Sequence, residues 1–239
     1  MTKIKVSAVS YTNSKPFVYG IMHSGIIDQI DLSLDIPSVC ANKLIENQVD
    51  IGLVPVAALL HIENYQIISN YCIGANGAVD SVFIFSNKPI QEIKILQLDA
   101  QSNTSNFLSK VLLKYHWKIN PEFVETGITD ALVQIGDRTF LNRNQYPYQY
   151  DLALEWYKFT GLPFVFAVWA SNKIISEDFK TAFNTALEYG LNHRLEMIAG
   201  LERVKDIDLE DYLMKKIDFN LDTDKLAALA KFTDLIKTL

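Results

Sequence analysis

Strand-like and helix-like patterns alternate over the first part of this chain. Three apolar stretches with strand character, KIKVSAV, LSLDIP and DIGLVPV, are separated by two stretches with helical spacing, PFVYGIMHSG and SVCANKLIENQ. Pro16 stands near the first turn of the first helix, and Ser38 is the candidate N-cap of the second. Strands that are connected through helices pair in parallel with right-handed crossovers, so this opening predicts a parallel sheet in an α/β protein.

The rest of the chain predicts a second group of strands and then a helical tail. Further strands are expected in YQIISNYCIG, SVFIFSN, KILQLD, EFVE, ALVQIG and LPFVFAVWAS, and helices in NFLSKVLLKYHW and YDLALEWYKFTG. LPFVFAVWAS is apolar throughout, which places it at the buried centre of a sheet. From residue 176 onward the apolar spacing is helical.

This order of elements predicts two α/β lobes, the second inserted into the first. Crossovers near residues 86–88 and 165–170 would give a first lobe of residues 1–86 and 170–239 and a second lobe of residues 87–169. Ligands of open α/β sheets bind beyond the carboxyl ends of the strands. In a two-lobed protein these ends can face each other, so we expect a ligand cleft between the lobes.

Composition and charge exclude several classes of function. The 239 residues carry a net charge of −6 with no cluster of Lys or Arg, which argues against a nucleic-acid surface. The longest apolar runs are too short to span a bilayer. Two separate cysteines, four scattered histidines and the lack of a phosphate-binding glycine motif predict neither a metal site nor a nucleotide cofactor. The N-terminus reaches the first strand without a leader pattern, so we expect a cytoplasmic protein.

Two strand-to-helix junctions are unusually rich in hydroxyl and amide side chains. One is SYTNS, residues 10–14, and the other is SNTSN, residues 102–106. The N-terminus of a helix attracts anions through its free N–H groups and its dipole, so a facing pair of such junctions would suit a small dianion. Ordinary helix capping is the alternative, although capping needs only one Ser or Thr at each junction.

Two further strings contain candidate functional residues. GANGAVDSV, residues 74–82, places Ser81 between two strands, where a plain turn is the alternative interpretation. IGDR, residues 135–138, places Asp137 at the end of a strand, where it could be a helix N-cap or a catalytic acid or base.

These strings together resemble one enzyme family. VSYTNSKPFVYG, DIGLVPVA, YCIGANGAVDSVFIFS, ALVQIGDRTF and above all YDLALEWYKFTGLPFVFAVWA are similar to the chorismate dehydratases of the futalosine route to menaquinone. The resemblance runs to about residue 170 and is weaker in the helical tail. It implies a type II periplasmic-binding-protein fold and a cytoplasmic enzyme without metal or organic cofactor. A sister family, 1,4-dihydroxy-6-naphthoate synthase, has an aspartate-rich first junction, which favours the dehydratase here.

The resemblance implies a lyase that removes water from chorismate to give 3-[(1-carboxyvinyl)oxy]benzoate. Asn13 would orient the substrate and Ser81 would donate a hydrogen bond toward the leaving oxygen. Because the polar strings contain no His or Lys, the base would be Asp137 or a carboxylate of the substrate. We favour the second slightly, since it would explain a site rich in hydroxyls and amides and poor in titratable groups. The expected substrate-binding residues are Ser10, Tyr11, Ser38, Val82, Asn103, Thr104, Ser105, Ile135 and Gly136.

The chain departs from the family pattern at two positions. Asn103 stands where an arginine is usual, and Asp80 stands where a basic residue is common. Both changes make the site less favourable for a dianionic substrate. Either Arg138 or Arg143 compensates, or the protein has diverged in substrate or activity. A solute-binding or sensing protein of the same fold, or a naphthoate synthase, is therefore the alternative function.

Overall fold

The computed structural model describes residues 3–143, 145–202 and 207–239, which contain eleven strands and nine α-helices. The strands are β1 Ile4–Val9, β2 Ile30–Asp35, β3 Ile51–Pro55, β4 Gln66–Ala75, β5 Val82–Ser86, β6 Ile95–Gln97, β7 Glu122–Val124, β8 Ala131–Ile135, β9 Tyr148–Asp151, β10 Phe164–Ser171 and β11 Asp218–Asn220. The helices are α1 Lys15–Met22, α2 Pro37–Ile45, α3 Asn103–Val111, α4 Arg138–Asn142, α5 Leu152–Thr160, α6 Glu177–Asn192, α7 Arg194–Ala199, α8 Leu209–Asp211 and α9 Thr223–Ile236.

Short helical turns of other kinds complete the described chain. The 3₁₀ turns are Thr12–Ser14, Gly25–Gln29, Val56–His61 and Ile90–Glu92, and the π-helical turns are Leu112–Trp117 and Tyr212–Lys216. No helix of the described ranges is long and apolar enough to cross a membrane.

The first sheet has the strand order β11-β4-β10-β3-β1-β2. β1 pairs in parallel with both β2 and β3, as the alternating pattern at the start of the chain predicts. β10 lies between β4 and β3, is antiparallel to both, and is buried along its whole length, which confirms the central position expected for LPFVFAVWAS. β11 interrupts the tail that was expected to be helical, and it closes the far edge of this sheet against β4.

The second sheet has the strand order β7-β6-β8-β5-β9. β6 is parallel to β7 and β8, whereas β5 is antiparallel to β8 and β9. β9 was not expected as a strand, since its last two residues, Tyr150 and Asp151, begin the stretch that reads as a helix. The Asp151 side chain instead caps α5 by accepting hydrogen bonds from the backbone N–H groups of Ala153 and Leu154 at 3.0 Å each.

Both crossovers between the sheets lie earlier in the chain than the sequence predicted. β5 belongs to the second sheet and β10 to the first, so the chain passes between the sheets through residues 76–81 and 161–163. The sequence placed both passages later because continuous apolar strands carry no signal of which sheet they join. Residues 80–81 are consequently part of a crossover, at the edge of both lobes.

The beginning of α2 differs from the sequence prediction. The helix starts at Pro37, and Ile36 is the capping residue without a side-chain hydrogen bond. Ser38 therefore lies inside the first turn and is not the N-cap. Proline at the first helical position fixes the backbone angle that starts a helix and needs no cap on its missing N–H.

The tail holds the first junction in place through a close helix–helix contact. Side chains added at Gly20 of α1 or Gly190 of α6 would overlap the facing backbone, so glycine permits the two helices to touch. Phe17 packs beneath this contact, with its ring centroid 5.9 Å from that of Trp169 in β10. Because α1 follows SYTNS directly, this packing fixes the position of that junction relative to the first sheet.

Candidate functional site

A cavity lies between the two sheets, where the strand-to-helix junctions of both lobes meet. The space that it encloses in this structure is small, about 50 Å³. The described residues that line it are Val9, Tyr11, Asn13, Pro37, Pro55, Ile73, Val79, Ser81, Val82, Ser102, Thr104, Ser105, Ile135, Gly136, Phe166 and Ala167.

Most of the residues selected from the sequence line this cavity. They are Tyr11, Asn13, Ser81, Val82, Thr104, Ser105, Ile135 and Gly136. Ser10, Ser38, Asn103 and Asp137 lie outside the lining. Ser10 and Asn103 are exposed, and Ser38 is half-buried one residue beyond Pro37, which does line the cavity.

The amide side chain of Asn13 lines the cavity. It lies within the 3₁₀ turn that precedes α1, and neither that turn nor α1 has a side-chain cap. Within the described part of the chain, its amide makes no hydrogen bond, while Ser14 bonds to the backbone carbonyls of Val9 and Tyr11. The local turn is therefore stabilised by Ser14, and the amide of Asn13 is left for the cavity.

The second junction brings the N-terminus of α3 to the opposite wall. Ser102 caps the helix by accepting from the backbone N–H of Ser105 at 3.2 Å, and its hydroxyl donates to Ser105 Oγ at 3.0 Å. The Thr104 hydroxyl oxygen accepts from the backbone N–H of Ala57 in the first lobe at 3.0 Å. The first turn of a helix with free N–H groups favours an anion, so this wall suits a carboxylate.

Ser81 lies on the crossover and is 1% exposed. Its carbonyl oxygen accepts from the backbone N–H of Gly136 at 2.9 Å, and its hydroxyl oxygen accepts from the hydroxyl of Tyr212 at 2.8 Å. Tyr212 belongs to the tail, where the sequence offered little signal, and it was not expected near the site.

Tyr11 covers Gly136 across the cleft. Gly136 has φ of +65°, and a Cβ at this position would be 2.7 Å from the Tyr11 ring. A side chain here would therefore strain the backbone and hold the lobes apart. The Tyr11 hydroxyl donates to Gln101 of the second lobe. Burial raises the pKa of Tyr11, so the phenol stays protonated and keeps this contact at neutral pH.

Asp137 lies outside the cavity and joins the lobes. Its carboxylate accepts from the backbone N–H of Thr12 at 3.2 Å and from the Thr12 hydroxyl at 3.1 Å. It precedes α4 without making a side-chain cap. The capping function suggested by the sequence is therefore wrong, because the carboxylate bonds to Thr12 and not to the N–H groups of α4.

The charged residues near the site are paired with each other. Arg138 Nη2 contacts both carboxylate oxygens of Asp99 at 2.9 and 2.7 Å. Asp80 lies 3.2 Å from Lys216 Nζ and 4.0 Å from Arg143 Nη2, and Arg143 also donates to its carbonyl oxygen. Two cations thus surround the one anion at position 80. Arg143, one of the two arginines considered as compensation, lies beside Asp80.

The lining is more apolar than the polar strings suggested. None of the described lining residues is Asp, Glu, His, Lys or Arg, and Tyr11 is their one ionisable side chain apart from hydroxyls of Ser and Thr. The sequence missed Ser102 and the apolar residues Val9, Pro37, Pro55, Ile73, Val79, Phe166 and Ala167. Ser102 belongs to SNTSN and could have been selected, whereas apolar residues at strand ends carry no distinguishing pattern.

The site therefore presents hydroxyl, amide and backbone N–H groups, which suit an anion, beside an apolar wall. The part of the chain that the structure describes contains no group of three or more His, Cys, Asp or Glu residues that could hold a metal ion. Two α/β sheets facing one such cavity define a two-lobed protein of the periplasmic-binding-protein type.

Comparison with solved structures gives the same fold class. Protein AF1704 from Archaeoglobus fulgidus matches with a TM-score of 0.74 at 16% identity, over 99% of this chain and 97% of that one. The periplasmic aliphatic sulphonate binding protein SsuA from Escherichia coli matches with a TM-score of 0.62 at 13% identity, over 100% and 92%. A Candida albicans gene product described as having the generic periplasmic binding protein fold matches with a TM-score of 0.65 at 15% identity, over 100% and 91%.

The family follows from the sequence model rather than from these distant structures. A family model described as menaquinone biosynthesis matches residues 4–238. The chain belongs to this menaquinone biosynthesis family, which confirms the family resemblance at the level of the pathway.

Proposed function

We propose that this protein is a chorismate dehydratase, a carbon–oxygen lyase that forms 3-[(1-carboxyvinyl)oxy]benzoate in the futalosine route to menaquinone. The observation that carries the proposal is the amide of Asn13, which has no hydrogen-bond partner among the described residues and faces the N-terminus of α3 across a cavity with a largely apolar lining. Membership of the menaquinone biosynthesis family supports the pathway. The motifs around residues 8–17 and 150–170 support the particular step.

The reaction needs positioning more than strong catalytic groups. The C–H electrons on the ring form a new double bond, the C–O bond breaks, and the departing hydroxide takes up a proton to leave as water. The ring becomes aromatic, so the step is strongly downhill. An enzyme for this step has to hold the substrate in one orientation and exclude competing reactions.

The lining residues supply that orientation. Asn13 holds one carboxylate or the leaving hydroxyl, and Thr104, Ser105 and the free N–H groups of α3 hold the second carboxylate. Ser81 donates a hydrogen bond to the oxygen that leaves. The described lining has no carboxylate or imidazole to take the ring proton, and Asp137 is engaged with Thr12. We therefore assign the base to a carboxylate of chorismate itself.

The test is incubation of the purified protein with chorismate, followed by mass spectrometry of the small molecules. If the protein is a dehydratase, each chorismate molecule loses one water, and many molecules are converted per protein. Ser81→Ala is measured beside the wild type and should convert chorismate more slowly. A solute-binding protein would change the chorismate spectrum only up to one equivalent. A naphthoate synthase would leave chorismate unchanged. Either of these two results would overturn the proposal.

We also propose that the enzyme acts in the cytoplasm. Chorismate is a dianion, and transfer of a dianion through the apolar interior of a bilayer is prohibitively unfavourable. An enzyme that consumes such an intermediate would act in the compartment where it is made. Fractionation of cells expressing the native gene, with activity assayed in each fraction, checks this.

A further inference from the structure

The π-helical turn Tyr212–Lys216 of the tail contacts the wall of the cavity at Ser81. Tyr212 is 3% exposed, and its hydroxyl lies 2.8 Å from Ser81 Oγ. Its ring packs edge-on against Phe140 of the second lobe, with centroids 5.3 Å apart. One turn later, Lys216 Nζ lies 3.2 Å from the carboxylate of Asp80. The tail therefore contacts two successive residues of the crossover, and one of them lines the cavity.

The hydrogen bond between the two hydroxyls has a defined direction. Tyr212 donates and Ser81 Oγ accepts, in keeping with the greater acidity of a phenol. Complete burial raises the pKa of Tyr212 far above its usual range, so the donor keeps its proton. Within the described chain, the Ser81 hydroxyl donates to no acceptor, and it lines the cavity. Its proton is thus free for a ligand.

Packing alone does not explain why residue 212 is a tyrosine. Phenylalanine would fill the same space against Phe140, and burying a hydroxyl carries a cost that only its hydrogen bond offsets. The partner of this hydroxyl is the serine that faces the cavity. The hydrogen bond to Ser81 therefore offsets the cost of burying this hydroxyl.

We propose that Tyr212 is a positioning residue: its hydroxyl fixes the oxygen of Ser81 so that the Ser81 proton points at the bound substrate. The consequence for turnover rests on the proposed dehydration of chorismate. The contact itself makes the helical tail, where the family resemblance is weak, a part of the site.

The first experiment measures turnover in a double-mutant cycle. Tyr212→Phe should lower kcat roughly tenfold or more with KM changed less than about threefold, because orientation matters most in the transition state. In a Ser81→Ala background, Tyr212→Phe should have no further effect on kcat. Tyr150→Phe is the matched control. The Tyr150 hydroxyl also makes one hydrogen bond, which it accepts from the backbone N–H of Ile90 at 2.8 Å, and it lies away from the cavity. An unchanged kcat in Tyr212→Phe, or a full further loss in the double variant, would overturn the proposal.

The second experiment does not depend on any substrate. Ser81→Cys is prepared with and without Tyr212→Phe, and alkylation of residue 81 by iodoacetamide is followed against pH by peptide mass. Donation from Tyr212 to the sulfur stabilises the thiolate, so its apparent pKa should rise by about one unit when the hydroxyl is removed. The native thiols interfere little, because burial raises the pKa of Cys40 to about 11 and that of Cys72 to about 12.

The two experiments separate the two claims. If the wild-type protein leaves chorismate unchanged, the proposed function fails, and the alkylation profiles still decide whether Tyr212 acts on residue 81. If the profiles with and without the Tyr212 hydroxyl coincide, the positioning contact is wrong even when chorismate is turned over.

Discussion

The carboxylate of Asp137 accepts hydrogen bonds from both the backbone N–H and the hydroxyl of Thr12, at 3.2 and 3.1 Å. Thr12 follows the first strand of one lobe, and Asp137 follows β8 of the other. Two more hydrogen bonds cross the cleft beside this pair, from Tyr11 to Gln101 and from Ala57 to Thr104. We infer that Asp137 stabilises the closed cleft and does not abstract a proton.

Variants of Asp137 distinguish these two functions. Asp137→Asn keeps an oxygen that can accept from Thr12, so kcat should stay within about threefold of wild type. Asp137→Ala removes the contact and should raise KM for chorismate about tenfold, which corresponds to about 1.4 kcal/mol of closure energy. Steady-state kinetics decide the matter. A fall in kcat of about a hundredfold or more in both variants would show that Asp137 is the base.

Asn13 should be essential for turnover and dispensable for folding. Its amide has no partner within the described chain, so Asn13→Ala should leave the melting temperature nearly unchanged while kcat falls about a hundredfold or more. Asn13→Asp should also stay folded, and the added charge beside a substrate carboxylate should abolish measurable activity. Thermal melts and kinetics are measured on the same samples.

A true cap provides the control for Asn13. Ser176 caps α6 by accepting from the backbone N–H of Phe179 at 3.3 Å and lies outside the cavity lining. Ser176→Ala should cost about 1 kcal/mol of stability and leave turnover intact. Near-normal turnover in Asn13→Asp would mean that the first junction does not bind the substrate.

The charges around position 80 should change the affinity for the dianion: loss of the anion should tighten binding, and loss of a cation should weaken it. Asp80, Arg143 and Lys216 together carry a net charge of +1. Asp80→Asn should lower KM and Arg143→Gln should raise it, each about fivefold, or about 1 kcal/mol for partly exposed charges. The double variant should return to the wild-type KM, and added salt should shrink all the differences. If the double variant stays as weak as Arg143→Gln, the arginine contacts the ligand directly.

Asp151 should make stability depend on pH. Its carboxylate caps α5 and also accepts from the backbone N–H groups of Val79 and Asp80 on the crossover, at 3.0 and 2.7 Å. Burial raises the pKa of Asp151 from 3.8 to about 6, despite these N–H donors. The folded state therefore binds this proton more tightly than the unfolded state, and the contribution of Asp151 to stability falls as pH rises from about 4 to about 6.

Asp151→Asn isolates this contribution from those of other carboxylates. The free energy of unfolding of wild type, minus that of the variant, should fall by roughly 2 kcal/mol between pH 4 and pH 7. Urea unfolding at four pH values across this range measures it. A difference that is constant with pH would mean that the N–H donors hold the carboxylate ionised throughout.

The sequence predicts the fold well where local patterns suffice. The parallel opening of β1, β2 and β3, the buried β10 and the polar junctions all follow from spacing over a few residues. It fails where a distant contact decides the structure. β9 and β11 are three- or four-residue strands whose existence depends on a partner strand elsewhere in the chain.

The same limit applies to the site. Asn13, Ser81, Thr104 and Ser105 are found because polar residues at strand ends are unusual. Phe166 and Ala167 look like any core residues, and their place in the wall depends on which end of β10 meets the cleft. Tyr212 was missed for a related reason, since a single tyrosine in a helical tail carries no signal until its partner 131 residues earlier is known.

The long separation of these contacts governs how the protein acquires activity during folding. Thr12 meets Asp137 across 125 residues of chain, and Tyr212 meets Ser81 across 131. Contacts between distant segments form late, because closing long loops is entropically costly. Trp156 packs against Phe164, eight residues further along the chain, with ring centroids 5.3 Å apart, and so reports on local collapse. Refolding after dilution from urea should therefore restore part of the tryptophan fluorescence first and catalytic turnover only after a measurable delay.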